Sequence, residues 1–195
     1  MKRLHARLLL MTMALAIATA ASAQTPAPAA PPTPAMVLTV SGWADGDPIP
    51  VKFTQAGEQV SPEMKWTNVP KGTVTFLLHM HDPDVARNKT TDTQVHWLMW
   101  NIPGTATGLP ENVPKGGDLP DGSHQISASG PVYRGPGAPA TGPPHHYTFE
   151  IYALDTKLDV TAGTDAFDTR ANVMKAVQGH ILGKAVYVGL FRRPQ

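Results

Sequence analysis

The chain has 195 residues, 42% of them hydrophobic, with 16 Lys and Arg against 15 Asp and Glu and no cysteine. That length supports one domain with a sizeable core, and the missing thiols exclude a disulfide framework as its source of stability. A formal charge of +1 excludes the electrostatic footprint of a nucleic-acid binder and a polybasic patch for anionic lipid.

Lys2, Arg3 and Arg7 precede an apolar run over residues 8–21, and Ala21-Ser22-Ala23 supplies a small-x-small cleavage pattern. This predicts a secretory signal peptide over residues 1–23; the run is short for a spanning helix, so no transmembrane anchor is expected after cleavage. Removing three bases and no acid takes the net charge from +1 to −2. A periplasmic or secreted bacterial protein is the expected product, and a chain without cysteine tolerates that oxidising compartment. Residues 24–35 are rich in Ala and Pro and read as an extended spacer. The folded domain is placed at residues 36–195.

From there the pattern is β. Residues 36–41 and 49–53 read as short strands on either side of the Asp45-Gly46-Asp47-Pro48 turn, and residues 64–66 as a third. Val69-Pro70-Lys71-Gly72 turns the chain into residues 73–80, a long apolar strand, and residues 95–101 form its partner. Residues 102–144 are dense in Gly and Pro, and a loop of that length is either functional or hides strands. Residues 145–154 alternate clearly, with Tyr147, Phe149, Ile151 and Ala153 on one face. One helix is predicted near the C-terminus. Asp168 or Thr169 caps it, Val173, Met174 and Val177 share a face, and Gly179 stops it. Residues 185–191 close the chain as a strand. Seven or eight strands with one or two helices point to an antiparallel sandwich or barrel.

The chemistry gathers at strand ends. Asp82-Pro83-Asp84 leaves the strand of residues 73–80 with its carboxylates restrained by proline, and His96 opens the next strand at the same end. Acids and an imidazole in such a place predict a site. Asp84 reads as a turn acceptor with Arg87 close enough to pair with it. His79 and His81 share a strand face, but no third ligand is fixed by local spacing, so no metal site is expected. Ser127 and Ser129 stand in no nucleophile elbow and no cysteine exists, so no enzyme is expected. Trp66, Trp97 and Trp100 read as core packing.

These motifs, in this order, resemble the phosphatidylethanolamine-binding protein (PEBP) family, in particular its bacterial Raf-kinase-inhibitor-like branch. The likeness runs from about Val37 to Arg193. It is carried by Asp45-Gly46 with Ile49-Pro50, Ser61-Pro62, Trp66 and the turn through Thr73. Further on, Asp82-Pro83-Asp84, His96-Trp97-Leu98, Asn101-Ile102-Pro103, Gly135-Pro136 and Pro143-Pro144-His145-His146-Tyr147 match. Ile181-Leu182-Gly183-Lys184-Ala185 and Val188-Gly189 complete it. The chain departs where Val85-Ala86 lacks the family's proline and where Gln94-Val95 lacks an aromatic.

The resemblance implies a mainly β fold of two antiparallel sheets with one or two peripheral helices. It also implies a small anion pocket, for phosphate or a phosphorylated headgroup, built by Asp82, His96, His145, Tyr147 and the backbone around Gly135 and Pro136. His145 and His146 face opposite ways, and the likeness selects His145. Imidazoles and loop N–H groups suit an anion, while Asp82 would orient a ring or meet a ligand ammonium. The expected function is non-catalytic binding of a small anionic ligand, with no cofactor. The alternative is a protein-interaction or inhibitor module whose partner docks on residues 102–144, and a small hydrolase or metal enzyme ranks behind both.

Overall fold

The computed structural model describes residues 34–195. The signal-peptide pattern of residues 1–23 and all but the end of the Ala/Pro-rich segment lie outside the described residues. No helix among the described residues is long and apolar enough to cross a membrane.

Among the described residues eight strands form: β1 Val37–Val40, β2 Met64–Thr67, β3 Thr75–Asp82, β4 Gln94–Pro103, β5 Gly108–Leu109, β6 His124–Ile126, β7 His145–Leu154 and β8 Ile181–Phe191, with one α-helix, α1, at Ala166–Ala176. They make two antiparallel sheets, a small one ordered β1-β2-β5 and a large one ordered β6-β4-β3-β7-β8. The mainly β architecture of the sequence reading is observed.

The large sheet is covered on both faces. Phe76, Leu78, Met80, Trp97, Met99, Phe149 and Ile151 pack towards the small sheet with Leu38, Val40, Met64 and Trp66. Leu77, Val95, Leu98, Trp100 and Leu154 pack the other way, with Val173 and Val177 from the α1 region. Two-sided burial explains why β3 and β4 read as near-continuous apolar runs instead of alternating ones. All three tryptophans named above are buried.

Two breaks in the β3–β4 ladder matter. Phe76 pairs with Ile102 and Leu78 with Met99, so Trp100 and Asn101 oppose Leu77 alone. Asn101 takes φ of 58° there, a left-handed conformation that Asn tolerates better than most residues. Met80 pairs with Trp97 and His81 with Val95, which leaves His96 as an inserted residue. Such β-bulges re-aim a side chain.

Two local expectations are corrected, and the hidden strands allowed for in residues 102–144 are found. Residues 49–53 are no strand: Val51–Phe53 form a 3₁₀ turn in which the Phe53 and Thr54 amides donate to the carbonyls of Pro50 and Val51. Pro50 offers no N–H to a ladder, and its φ of −57° starts the turn. The α1 cap is Asp165, whose Oδ1 accepts from the Phe167 and Asp168 amides. Thr169 lies inside the helix and is buried, whereas Gly179 does stop the chain with φ of 85°. Residues 102–144 contain β5 and β6 and are tied inward. Gln125 accepts from Trp97 Nε1 at 2.8 Å and donates to the Pro114 and Gly116 carbonyls. Tyr133 donates to the Phe53 carbonyl.

Candidate functional site

Antiparallel order decides where the site lies. β3 ends at Asp82 beside the start of β4, with Asp82 paired to Gln94, and β7 starts at His145 on the other side of β3. The bulge at His96 adds the third group. Val95 packs on the helix side and Trp97 on the small-sheet side. The inserted residue lets His96 face the Trp97 side too, where its ring meets that of Tyr147 edge-on at 5.0 Å. Asp82, His96, His145 and Tyr147 therefore converge on one cavity of about 200 Å³.

Each group is held from behind. Asp82 is 2% exposed. Its Oδ2 accepts from His145 Nδ1 at 2.8 Å and its Oδ1 from the Asp84 amide at 3.0 Å. His96 Nδ1 donates to the Arg134 carbonyl at 2.9 Å, and the Arg134 amide donates back to the His96 carbonyl. Carboxylates and carbonyls accept only, so both rings carry hydrogen on Nδ1 and have Nε2 as their free edge. Burial lowers the His96 pKa below its ordinary value, which favours a neutral ring. Tyr147 Oη accepts from the Gly137 and Ala138 amides, and its own hydrogen is within reach of the Asp82 carboxylate. Burial pushes that phenol up to about 12.

The structure places Gly135 and Pro136 just behind the lining instead of in it. A Cβ on Gly135 would stand 2.5 Å from the Phe53 carbonyl oxygen, so this glycine serves a close crossing of two backbones. The lining comes from residues 137–139 next to it. Asp84 is structural, as expected, but its partner differs. Its Oδ2 accepts from the amide and ring Nδ1 of His146, while Arg87 lies over the Phe167 ring. His79 and His81 leave β3 on the opposite face, away from Asp82 and His96.

Sequence reasoning missed Arg134, Gln55 and Gln94, which also line the cavity. Arg134 directly precedes the Gly135-Pro136 pair that was singled out, and that was the available signal. Its Nη1 donates to Ser129 Oγ at 2.6 Å, but its buried Nε has no protein partner. Gln55 arrives from the unexpected 3₁₀ turn and donates to the Gly135 carbonyl. Two imidazole edges, a phenol and a guanidinium around a small cavity can hold an anionic oxygen group.

Known proteins resemble this chain in sequence and fold. The phosphatidylethanolamine-binding protein profile matches residues 39–192. A UPF0098 protein of Methanothermobacter thermautotrophicus is 42% identical over 160 residues, 81% of this chain and 99% of that one. A Mycobacterium tuberculosis protein described as a candidate lipoprotein, LppC, is 35% identical over 152 residues, 76% of this chain and 68% of its own. The crystal structure of Escherichia coli YbcL, described as a member of the mammalian PEBP family, superposes with a TM-score of 0.69 at 26% identity. It covers 82% of this chain and 99% of that one. With the profile spanning nearly all the described residues, the chain belongs to the phosphatidylethanolamine-binding protein family.

Proposed function

We propose that this family member is an exported, non-catalytic binding protein whose pocket takes a phosphate-type anion, free or as a small headgroup. One observation carries the reading. The Nδ1 atoms of His96 and His145 are both committed to protein acceptors, so two Nε2 edges are left for a ligand in one cavity with the guanidinium of Arg134. A monoprotonated phosphate suits this set. Its oxygens can accept from His96 Nε2 as that ring takes up a proton, and from the Arg134 guanidinium and Tyr147. Asp82 orients His145 and, at the cavity wall, favours a ligand that also carries an ammonium group.

The lining contains no serine, threonine or cysteine, and the oxygens of Ser127 and Ser129 are engaged with Gly130 and Arg134. A serine- or cysteine-type covalent mechanism lacks its nucleophile there. The protein-partner reading rests on residues 102–144, whose Gln125 and Tyr133 fasten that segment inward; the pocket is the better supported of the two. Export is supported by the cleavage pattern at Ala21-Ser22-Ala23 and by the likeness to a protein described as a lipoprotein.

The test is titration of the purified chain with inorganic phosphate and with O-phosphorylethanolamine, followed by NMR of the histidine side chains. The rings of His96 and His145 should shift together, and Arg134→Met should weaken both ligands at least tenfold. A headgroup preference shows as tighter binding of O-phosphorylethanolamine. If neither ring moves with either ligand, the anion reading is wrong.

A further inference from the structure

We propose that His79, His81 and Glu150 form a site for one divalent transition-metal ion on the helix-facing side of the large sheet. Antiparallel pairing sets His79 opposite Glu150, and the two-residue strand period puts His81 on the same face. The imidazoles stack with centroids 4.5 Å apart and planes 3° apart. Glu150 Oε2 stands 3.9 Å from His79 Nδ1 and 4.0 Å from His81 Nε2.

Those separations are too long for hydrogen bonds. Metal–ligand bonds of about 2.0–2.2 Å put neighbouring tetrahedral donors about 3.3–3.6 Å apart, so a closure of about half an ångström by Glu150, with a tilt of the two stacked rings towards one point, completes the triad. The second observation is independent of the spacing. His79 is 6% exposed, and neither of its ring nitrogens has a partner. A buried imidazole with both nitrogens unsatisfied is costly and calls for a missing ligand.

The surroundings orient the donors. Thr93 Oγ1 lies 3.1 Å from His81 Nδ1, which leaves Nε2 on the Glu150 side. The Tyr152 hydroxyl donates to Glu150 Oε2, and such outer partners fix metal ligands. Arg170 of α1 is a cation whose charge acts on His81. It is engaged with Thr93 and with Asp92, 2.8 Å away, so its charge is answered. Lys184 lies over the far side, above the Tyr152 ring. The side chains of His81 and Glu150 are 16% and 19% exposed, an entry path that also admits coordinating water. Two imidazoles and one carboxylate favour Zn²⁺ and its first-row neighbours over Mg²⁺ or Ca²⁺.

The probe is Zn²⁺ added to the chelator-treated chain, read by calorimetry and thermal melting. Glu150→Gln and His81→Gln are compared once circular dichroism shows that they fold. One equivalent should bind, at least tenfold more weakly in each variant, and the melting temperature should rise with Zn²⁺ in the parent chain only. NMR gives a readout without any variant: Zn²⁺ should perturb the rings of His79 and His81 and spare His145. No binding, or equal affinity in the parent chain and Glu150→Gln, overturns the proposal. Among the described residues, the cluster of Asp82, Asp84 and His145 is the other group of donors close enough to hold an ion. Binding lost in Asp82→Asn but kept in Glu150→Gln would move the ion there and equally overturn it.

Discussion

His145 donates from Nδ1 to Asp82 Oδ2 across 2.8 Å, joining residues 63 positions apart behind the cavity. The bond keeps a buried carboxylate satisfied and turns the imidazole edge outward. His145→Ala should therefore cost about 1–3 kcal/mol, because Asp82 then retains only the Asp84 amide. Adding Asp82→Ala should recover part of that loss, so the double variant falls short of the summed singles. Urea unfolding of the four proteins measures the coupling, and additivity within about 0.3–0.5 kcal/mol would mean there is none.

Anion affinity should depend on pH with a defined sign. Burial lowers the His96 pKa, so the free protein holds this ring neutral near neutrality. A phosphate oxygen at Nε2 favours the imidazolium, so binding takes up a proton and affinity rises as pH falls from about 8 to about 6. His96→Gln should weaken binding and flatten that slope. Calorimetry in buffers of different ionisation enthalpy counts the proton; zero uptake in the parent chain contradicts the scheme.

Much of this architecture is legible from residue pattern because burial on both faces makes β3 and β4 long apolar runs, and alternation marks β7. What escapes is what pairing creates. Nothing local to His96 announces a bulge, since it exists only in the offset between Met80–Trp97 and His81–Val95. Glu150 was invisible as a partner of His79 for the same reason: register across β3 and β7 joins them. The apolar residues at 49–53 mimicked a strand, but Pro50 has no amide to offer a ladder. Asp165 lost to Asp168 as the expected cap because both precede the buried face of α1, and only the backbone path distinguishes them. Asp82, His96, His145 and Tyr147 were nameable from motifs, whereas Arg134 becomes a lining residue only once its backbone grips His96.

Stability should fall on the acid side in two stages. Burial lowers the His81 pKa from 6.5 to about 4, so the unfolded chain binds this proton first. The associated stability is complete above about pH 6.5 and is lost as pH falls towards 4. The neighbouring His79 ring and the Tyr152 hydroxyl hold Glu150 at about 2 against an ordinary 4.5, so its contribution is present above about 4.5 and lost as pH falls towards 2. Urea midpoints measured from pH 7.5 downwards, each approximate, should decline through both windows. His81→Gln should flatten the upper stage and shrink the lower one, because the His81 charge also favours the Glu150 carboxylate.

Asn101 offers a test of the second bulge. It combines φ of 58° with a buried amide that donates to the Leu158 carbonyl at 3.0 Å and accepts from the Leu158 amide at 2.8 Å. One side chain thus clips the segment after β7 to the sheet and relaxes the bulge. Asn101→Ala loses both bonds and puts a Cβ in the left-handed region without the compensating polar group, at a cost of about 2–4 kcal/mol. For a domain of this size that lowers the melting temperature by roughly 5–15 °C. Asn101→Gly loses the same bonds but accepts the backbone angle freely, so it should be less destabilised than Asn101→Ala. Equal melting temperatures for the two would assign the whole cost to the clip and none to the bulge.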